Sequence, residues 1–127
     1  MSTVIDNDDV RVVVVDDVQA MAESLAGLLE LDGYKVRTAG DGTEALTLIE
    51  QYQPHCVMLD IDMPGIDGRE LAARLRSRYG DAIVLIAVTG WGDDADKLSM
   101  AFARFDHYLR KPFSPQQLRK VLPPVHD

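Results

Sequence analysis

The sequence predicts an α/β domain: a doubly wound, five-stranded parallel sheet with helices on both faces. Two observations lead there. Short apolar runs alternate five times with segments of helical periodicity, the pattern of βα units. Three of the runs are continuously apolar, as strands buried on both faces are, while the other two are alternating or very short and suit the edges. An order of 2-1-3-4-5 fits that distribution.

The elements follow in chain order. Val12-Val13-Val14-Val15, all β-branched, forms the first strand and ends in Asp16-Asp17. Met21, Leu25, Leu28 and Leu29 fall on one helical face, and Asp32-Gly33 ends that helix with Gly33 as a left-handed cap. Val36 to Ala39 alternates, as a half-covered edge strand does. Gly40-Asp41-Gly42 turns the chain into a helix carrying Ala45, Leu46, Ile49 and Tyr52, which closes before Pro54. Cys56-Val57-Met58-Leu59 is the third strand, ending in Asp60. Asp67 with Glu70 three residues later starts a helix faced by Leu71, Leu75 and Tyr79. Ile83 to Val88 is the fourth strand, ending in Thr89-Gly90. Ala95, Leu98, Ala101, Phe102 and Phe105 space as a fourth helix. His107-Tyr108-Leu109 is a short fifth strand before Arg110-Lys111-Pro112. Ser114 caps a last helix with Pro115 at its first position and Leu118, Val121 and Leu122 inward.

The 127 residues suit one domain, expected over 10–122, with a flexible acidic arm at 1–9 and a short tail at 123–127. Lys and Arg number 13 against 21 Asp and Glu, a net charge of −8. That excess argues against nucleic acid and against an anionic membrane surface as partners. No apolar run approaches the ~20 residues a membrane span needs, and the N-terminus lacks the pattern of a signal peptide. The single cysteine, Cys56, forms no internal disulfide and suits a reducing, cytoplasmic compartment. Inside an apolar strand it reads as a small buried hydrophobe. His55, His107 and His126 have no metal-ligand spacing.

Ligands of an open parallel sheet bind at the carboxyl ends of the strands, where the order reverses. That point lies between the first and third strands, which end in Asp16-Asp17 and Asp60. Crowded carboxylates repel unless a cation neutralises them, and hard oxygen ligands favour Mg²⁺, or Mn²⁺, over zinc. Thr89 and Lys111 end the fourth and fifth strands and bring a hydroxyl and an ammonium to the same rim. Such a set can bind a phosphoryl group, and a carboxylate can accept one as nucleophile. Asp60, alone at the end of a central strand, is the best candidate.

These residues resemble a response-regulator receiver domain of two-component phosphorelay signalling, a flavodoxin-like (βα)5 fold. The resemblance rests on Asp16-Asp17, on Asp60 within Leu59-Asp60-Ile61-Asp62-Met63-Pro64-Gly65-Ile66-Asp67-Gly68, on Thr89, on Tyr108 and on Lys111-Pro112-Phe113. Intervals of 43 residues from Asp17 to Asp60, 29 to Thr89 and 22 to Lys111 support it. It implies that Asp60 takes a phosphoryl group from a phosphohistidine of a sensor histidine kinase or phosphotransfer protein. Asp17 would ligate Mg²⁺ directly and Asp16 through water, with Asp60 and the backbone carbonyl of Asp62. Lys111 would pair with the phosphate and precede a cis Pro112. Thr89 and Tyr108 would rearrange as switches, altering an output surface of the fourth helix, fifth strand and last helix. The only chemistry implied is the domain's own phosphorylation and dephosphorylation.

Several positions depart from the common pattern. Asp62 and Trp91 are expected to modulate phosphoryl lifetime, the first by its charge and the second by covering the site. Arg104 stands where Gly is common. Much of the Tyr108 ring is expected in the core. A haloacid-dehalogenase-like phosphatase using Asp60 and Asp62 is a weaker reading, because Pro64 stands where that family has Thr or Val. A flavin carrier is disfavoured because Asp16-Asp17 would repel its phosphate. The chain reads as a stand-alone regulator or as the receiver module of a hybrid kinase, with the downstream target and oligomeric state undefined.

Overall fold

The computed structural model describes residues 10–61, 68–90 and 104–124. Five parallel strands form one sheet in the order β2-β1-β3-β4-β5: β1 Arg11–Val15, β2 Lys35–Ala39, β3 Cys56–Asp60, β4 Val84–Thr89 and β5 His107–Arg110. The described helices are α1 Gln19–Leu31, α2 Gly42–Tyr52, α3 Gly68–Tyr79 and α4 Pro115–Val121, with a short 3₁₀ turn at Gly80–Ala82. None is long and apolar enough to cross a membrane.

Strand pleating sorts the apolar runs into two layers. Val12, Val14, Cys56, Met58, Ile86 and Val88 face α1 and α4. Val13, Val15, Val57, Leu59 and Leu85 face α2 and α3. This is why β1, β3 and β4 carry no polar alternation: both faces are covered. β2 and β5 are mostly exposed, as edges are.

The helix ends follow the local chemistry. Gly33 is left-handed, at φ 99°, past the α1 cap residue Asp32. Its N–H donates to Glu30 O, and that of Tyr34 to Leu29 O, closing a Schellman turn. Asp41 caps α2 by accepting from Glu44 N–H at 2.7 Å, while Glu44 Oε1 accepts from Gly40 N–H. Ser114 and Gln117 form a reciprocal capping box on α4.

Two expectations need correction. Met21 is half exposed; Ala22 and Leu29 are the buried residues of α1, with Leu25 and Leu28 partly buried beside them. A small residue at 22 lets the helix approach the sheet, and the stripe is turned by one position. Phe105 is not helical; it is partly buried against the α2–α3 layer. The remainder of the expected helix over 95–105, the Asp67 cap and the arm at 1–9 lie outside the described residues.

The amino ends of the strands are fastened by polar side chains. Arg11 Nη2 and Nε donate to Gln53 O, and Nε also to Tyr52 O, at the end of α2. Arg11 N–H donates to His55 Nδ1 at 3.0 Å. Arg76, on α3, donates to the carbonyls of Gly80, Ile83 and Arg104 and to Asp106 Oδ2 at 2.6 Å. Asp106 Oδ2 also accepts from Leu85 N–H. Elsewhere, Tyr34 Oη donates to Pro123 O, and Arg119 pairs with Asp32, holding α4 to the α1–β2 corner.

Candidate functional site

Sheet register builds the site. Val15 lies opposite Leu59 in β1 and β3, so the next residues, Asp16 and Asp60, reach the rim together. Asp16 stays tied to β2, donating its N–H to Ala39 O at 3.0 Å. Its Oδ1 accepts from Val18 N–H at 2.9 Å, which turns the chain into α1. On the other side Thr89 pairs in register with Arg110, and Lys111 N–H donates to Thr89 O at 2.7 Å. Lys111 is thereby fixed just past the end of β4, before the cis bond to Pro112.

Asp16, Asp17 and Asp60 each offer a carboxylate oxygen, and these lie within 4.8 Å of one another. They grade from buried to open: Asp60 is 6% exposed, Asp16 9%, and Asp17 is exposed. Lys111 Nζ reaches Asp60 Oδ2 at 2.9 Å. Burial pushes the Asp16 carboxyl up from its ordinary range; the Val18 N–H opposes this, and the charge on Asp60 reinforces it. Among the described residues, the Lys111 ammonium meets a cluster of three carboxylates, which leaves that cluster acidic. The donor set is all hard oxygen, which fits a divalent cation of the Mg²⁺ kind. A cavity of about 330 Å³, lined in part by Asp16, Asp17, Gln19, Thr38 and Glu44, opens beside the acid pair.

Thr89 is fully buried at the end of β4. Tyr108 is 52% exposed on the edge strand β5, contrary to the expectation that much of its ring lies in the core. Asp62 and Trp91 lie outside the described residues. Cys56 is fully buried. Sequence reasoning set the histidines aside, and His55 proves structural, accepting from Arg11 N–H. It named Ile61 and Gly68 only within the motif around Asp60 and missed their close contact; a glycine opening a helix was the available signal.

This arrangement of sheet, switch point and acid cluster defines a class, the α/β switch domain controlled by phosphorylation. The chain belongs to the response regulator receiver domain family, whose pattern it matches over residues 12–123. Response regulator MprA of Mycobacterium sp. (strain KMS) is 41% identical over 109 residues, 86% of this chain and 47% of that protein. The MprA of Mycobacterium avium (strain 104) is 39% identical, over 85% of this chain and 47% of its own length. The chain thus spans about half the length of these curated relatives. Among solved structures, the response regulator TrrA of Thermotoga maritima in complex with Mg²⁺-BeF is 33% identical, with a TM-score of 0.75 over 88% of this chain and 98% of that one. A response regulator of Chloroflexus aurantiacus J-10-fl is 35% identical, with a TM-score of 0.78 over 88% and 93%. Nothing in these relatives supports the phosphatase reading.

Proposed function

We propose that Asp60 is the phosphoryl acceptor of this receiver domain. The observation that carries this is the placement of its buried carboxylate between two other carboxylates and the Lys111 ammonium, at the point where the strand order reverses. An Asp60 oxygen attacks the phosphorus of a phosphohistidine on a histidine kinase or phosphotransfer protein. The P–N bond breaks, its electron pair goes to the imidazole, and the imidazole takes a proton from water. Lys111 holds Asp60 before the reaction and balances phosphoryl charge after it. Asp16, Asp17, Asp60 and the Asp62 carbonyl would hold Mg²⁺, with Mn²⁺ as a substitute. When bound, the cation offsets charge on the transferring oxygens. The TrrA complex with Mg²⁺-BeF is in keeping with that chemistry.

Thr89 and Tyr108 are the proposed switch residues, acting on β5 and the helices beside it. Asp62 and Trp91 are proposed to set phosphoryl lifetime. The receiver unit is taken as 10–122, working in the cytoplasm, with no chemistry beyond its own phosphorylation and dephosphorylation. The test is intact-mass spectrometry after incubation with acetyl phosphate and Mg²⁺. One phosphoryl increment is expected, absent in Asp60→Asn. No increment with any divalent cation overturns the reading.

A further inference from the structure

The geometry points to Gly68 as a positioning residue for Asp60, acting through Ile61. This rests on Asp60 being the acceptor. A Cβ built on Gly68 would lie 2.8 Å from Ile61 Cγ2, 3.1 Å from its Cβ and 3.3 Å from its Cα. The first of these is closer than side-chain carbons tolerate, and the last involves backbone. So α3 begins in contact with the residue that follows the acceptor, at a separation only glycine permits.

Ile61 has little room to yield. Its N–H donates to Val88 O at 3.0 Å, which continues the β3–β4 ladder one residue past Asp60. Its side chain is partly buried against the α2–α3 layer, where Leu59, Leu71 and Leu75 are packed. Gly68 closes another side. Ladder, core and helix start together fix the peptide that leaves Asp60. A methyl group at 68 must displace either the first turn of α3 or Ile61. Leu71 and Ala72, both buried within that first stretch of helix, resist the first alternative. Displacing Ile61 moves the chain on the exit side of Asp60, and with it the carboxylate held 2.9 Å from Lys111. The carbonyl proposed as a further cation ligand, that of Asp62, is the next along the chain. Gly68 touches neither phosphoryl group nor cation; it sets where Asp60 stands.

The test compares phosphoryl incorporation from acetyl phosphate with Mg²⁺, followed by intact mass, in wild type, Gly68→Ala, Ile61→Ala/Gly68→Ala and Leu29→Ala. Leu29 is fully buried in the opposite layer and serves as the control for lost stability alone. Gly68→Ala is expected to react about tenfold more slowly, a misplacement of well under the ~1 Å that costs about a hundredfold. It should also bind Mg²⁺ more weakly by calorimetry. Ile61→Ala in the same chain removes the 2.8 Å contact and should restore most of the rate. Leu29→Ala should melt earlier yet react at the wild-type rate. A Gly68→Ala protein that reacts as fast as wild type, or a double variant as slow as the single one, overturns the inference. If Gly68→Ala is insoluble, Ile61→Ala with and without Gly68→Ala carries the test: equal rates support the contact and a slower double variant overturns it. Failure of wild type itself to take a phosphoryl group refutes instead the assignment of Asp60.

Discussion

Asp16 has two tasks, and a substitution can separate them. Its Oδ1 caps the turn into α1, and its charge adds to the crowding around Asp60. Asp16→Asn keeps an oxygen for the Val18 N–H and deletes the charge. Without metal, the variant should melt a few degrees higher than wild type at neutral pH. Adding Mg²⁺ should raise its Tm much less than it raises that of wild type; equal increments by calorimetry would remove Asp16 from the cation site. His55 behaves oppositely with pH. Burial and then the charge of Arg11 lower its pKa from the ordinary 6.5, and its Nδ1 is an acceptor only when the ring is neutral. The unfolded chain therefore binds the proton more readily than the folded one. The stabilising contribution is present above the ordinary value and is lost as pH falls through the lowered one. His55→Gln, whose side-chain oxygen can accept in its place, should flatten the fall in Tm between neutral and mildly acidic pH. The acids were legible in the sequence because each ends an apolar run. The role of His55 was not, since it depends on Arg11, 44 residues away, arriving beside it.

At the scale of elements, the helix ends carry the clearest expectations. Gly33 at φ 99° lies where an L side chain is strained, so Gly33→Ala should cost about 1 kcal/mol in chemical denaturation. Its left-handed cap was readable from an Asp-Gly that follows an apolar stripe. The stripe itself was misread by one position, because Met21 is the more hydrophobic residue and Ala22 the one with room to approach the sheet. Arg76 ties α3, the 3₁₀ turn and the entries of β4 and β5 into one knot. Asp106 is 41% exposed, so solvent screens the ion pair, and most of the loss on Arg76→Ala should come from the three carbonyls left without their donor. We expect a loss of about 2 kcal/mol. Arg76→Lys should recover only a fraction, since an ammonium lacks the planar fork that spans several acceptors. A fully stable Lys variant would show that charge, not geometry, holds the knot. No spacing rule marks such a residue: its partners, at 80, 83, 104 and 106, become neighbours only after the sheet forms.

At the scale of the molecule, strand order and the two-layer core were readable because burial on both faces erases polar alternation from β1, β3 and β4. Cys56 lies fully inside that core, and burial raises its thiol pKa far above the ordinary value. A thiol reagent should therefore label it only through opening of the domain. Mg²⁺ should slow labelling, because a ligand that binds the folded form lowers the open fraction. Rapid labelling unaffected by Mg²⁺ would mean a local path to Cys56. Phosphorylation would add about −1.5 to −2 charges to a chain already at −8, all at one rim. The opposite rim holds Arg11, His55, Arg76 and Asp106, and none of them belongs to the acid cluster. Chemistry and mechanical fastening are thus kept apart by the length of the strands. The two kinds of damage should therefore separate: a substitution at the amino rim should lower Tm while sparing phosphoryl uptake, and one among the acids should alter uptake while leaving those knots in place.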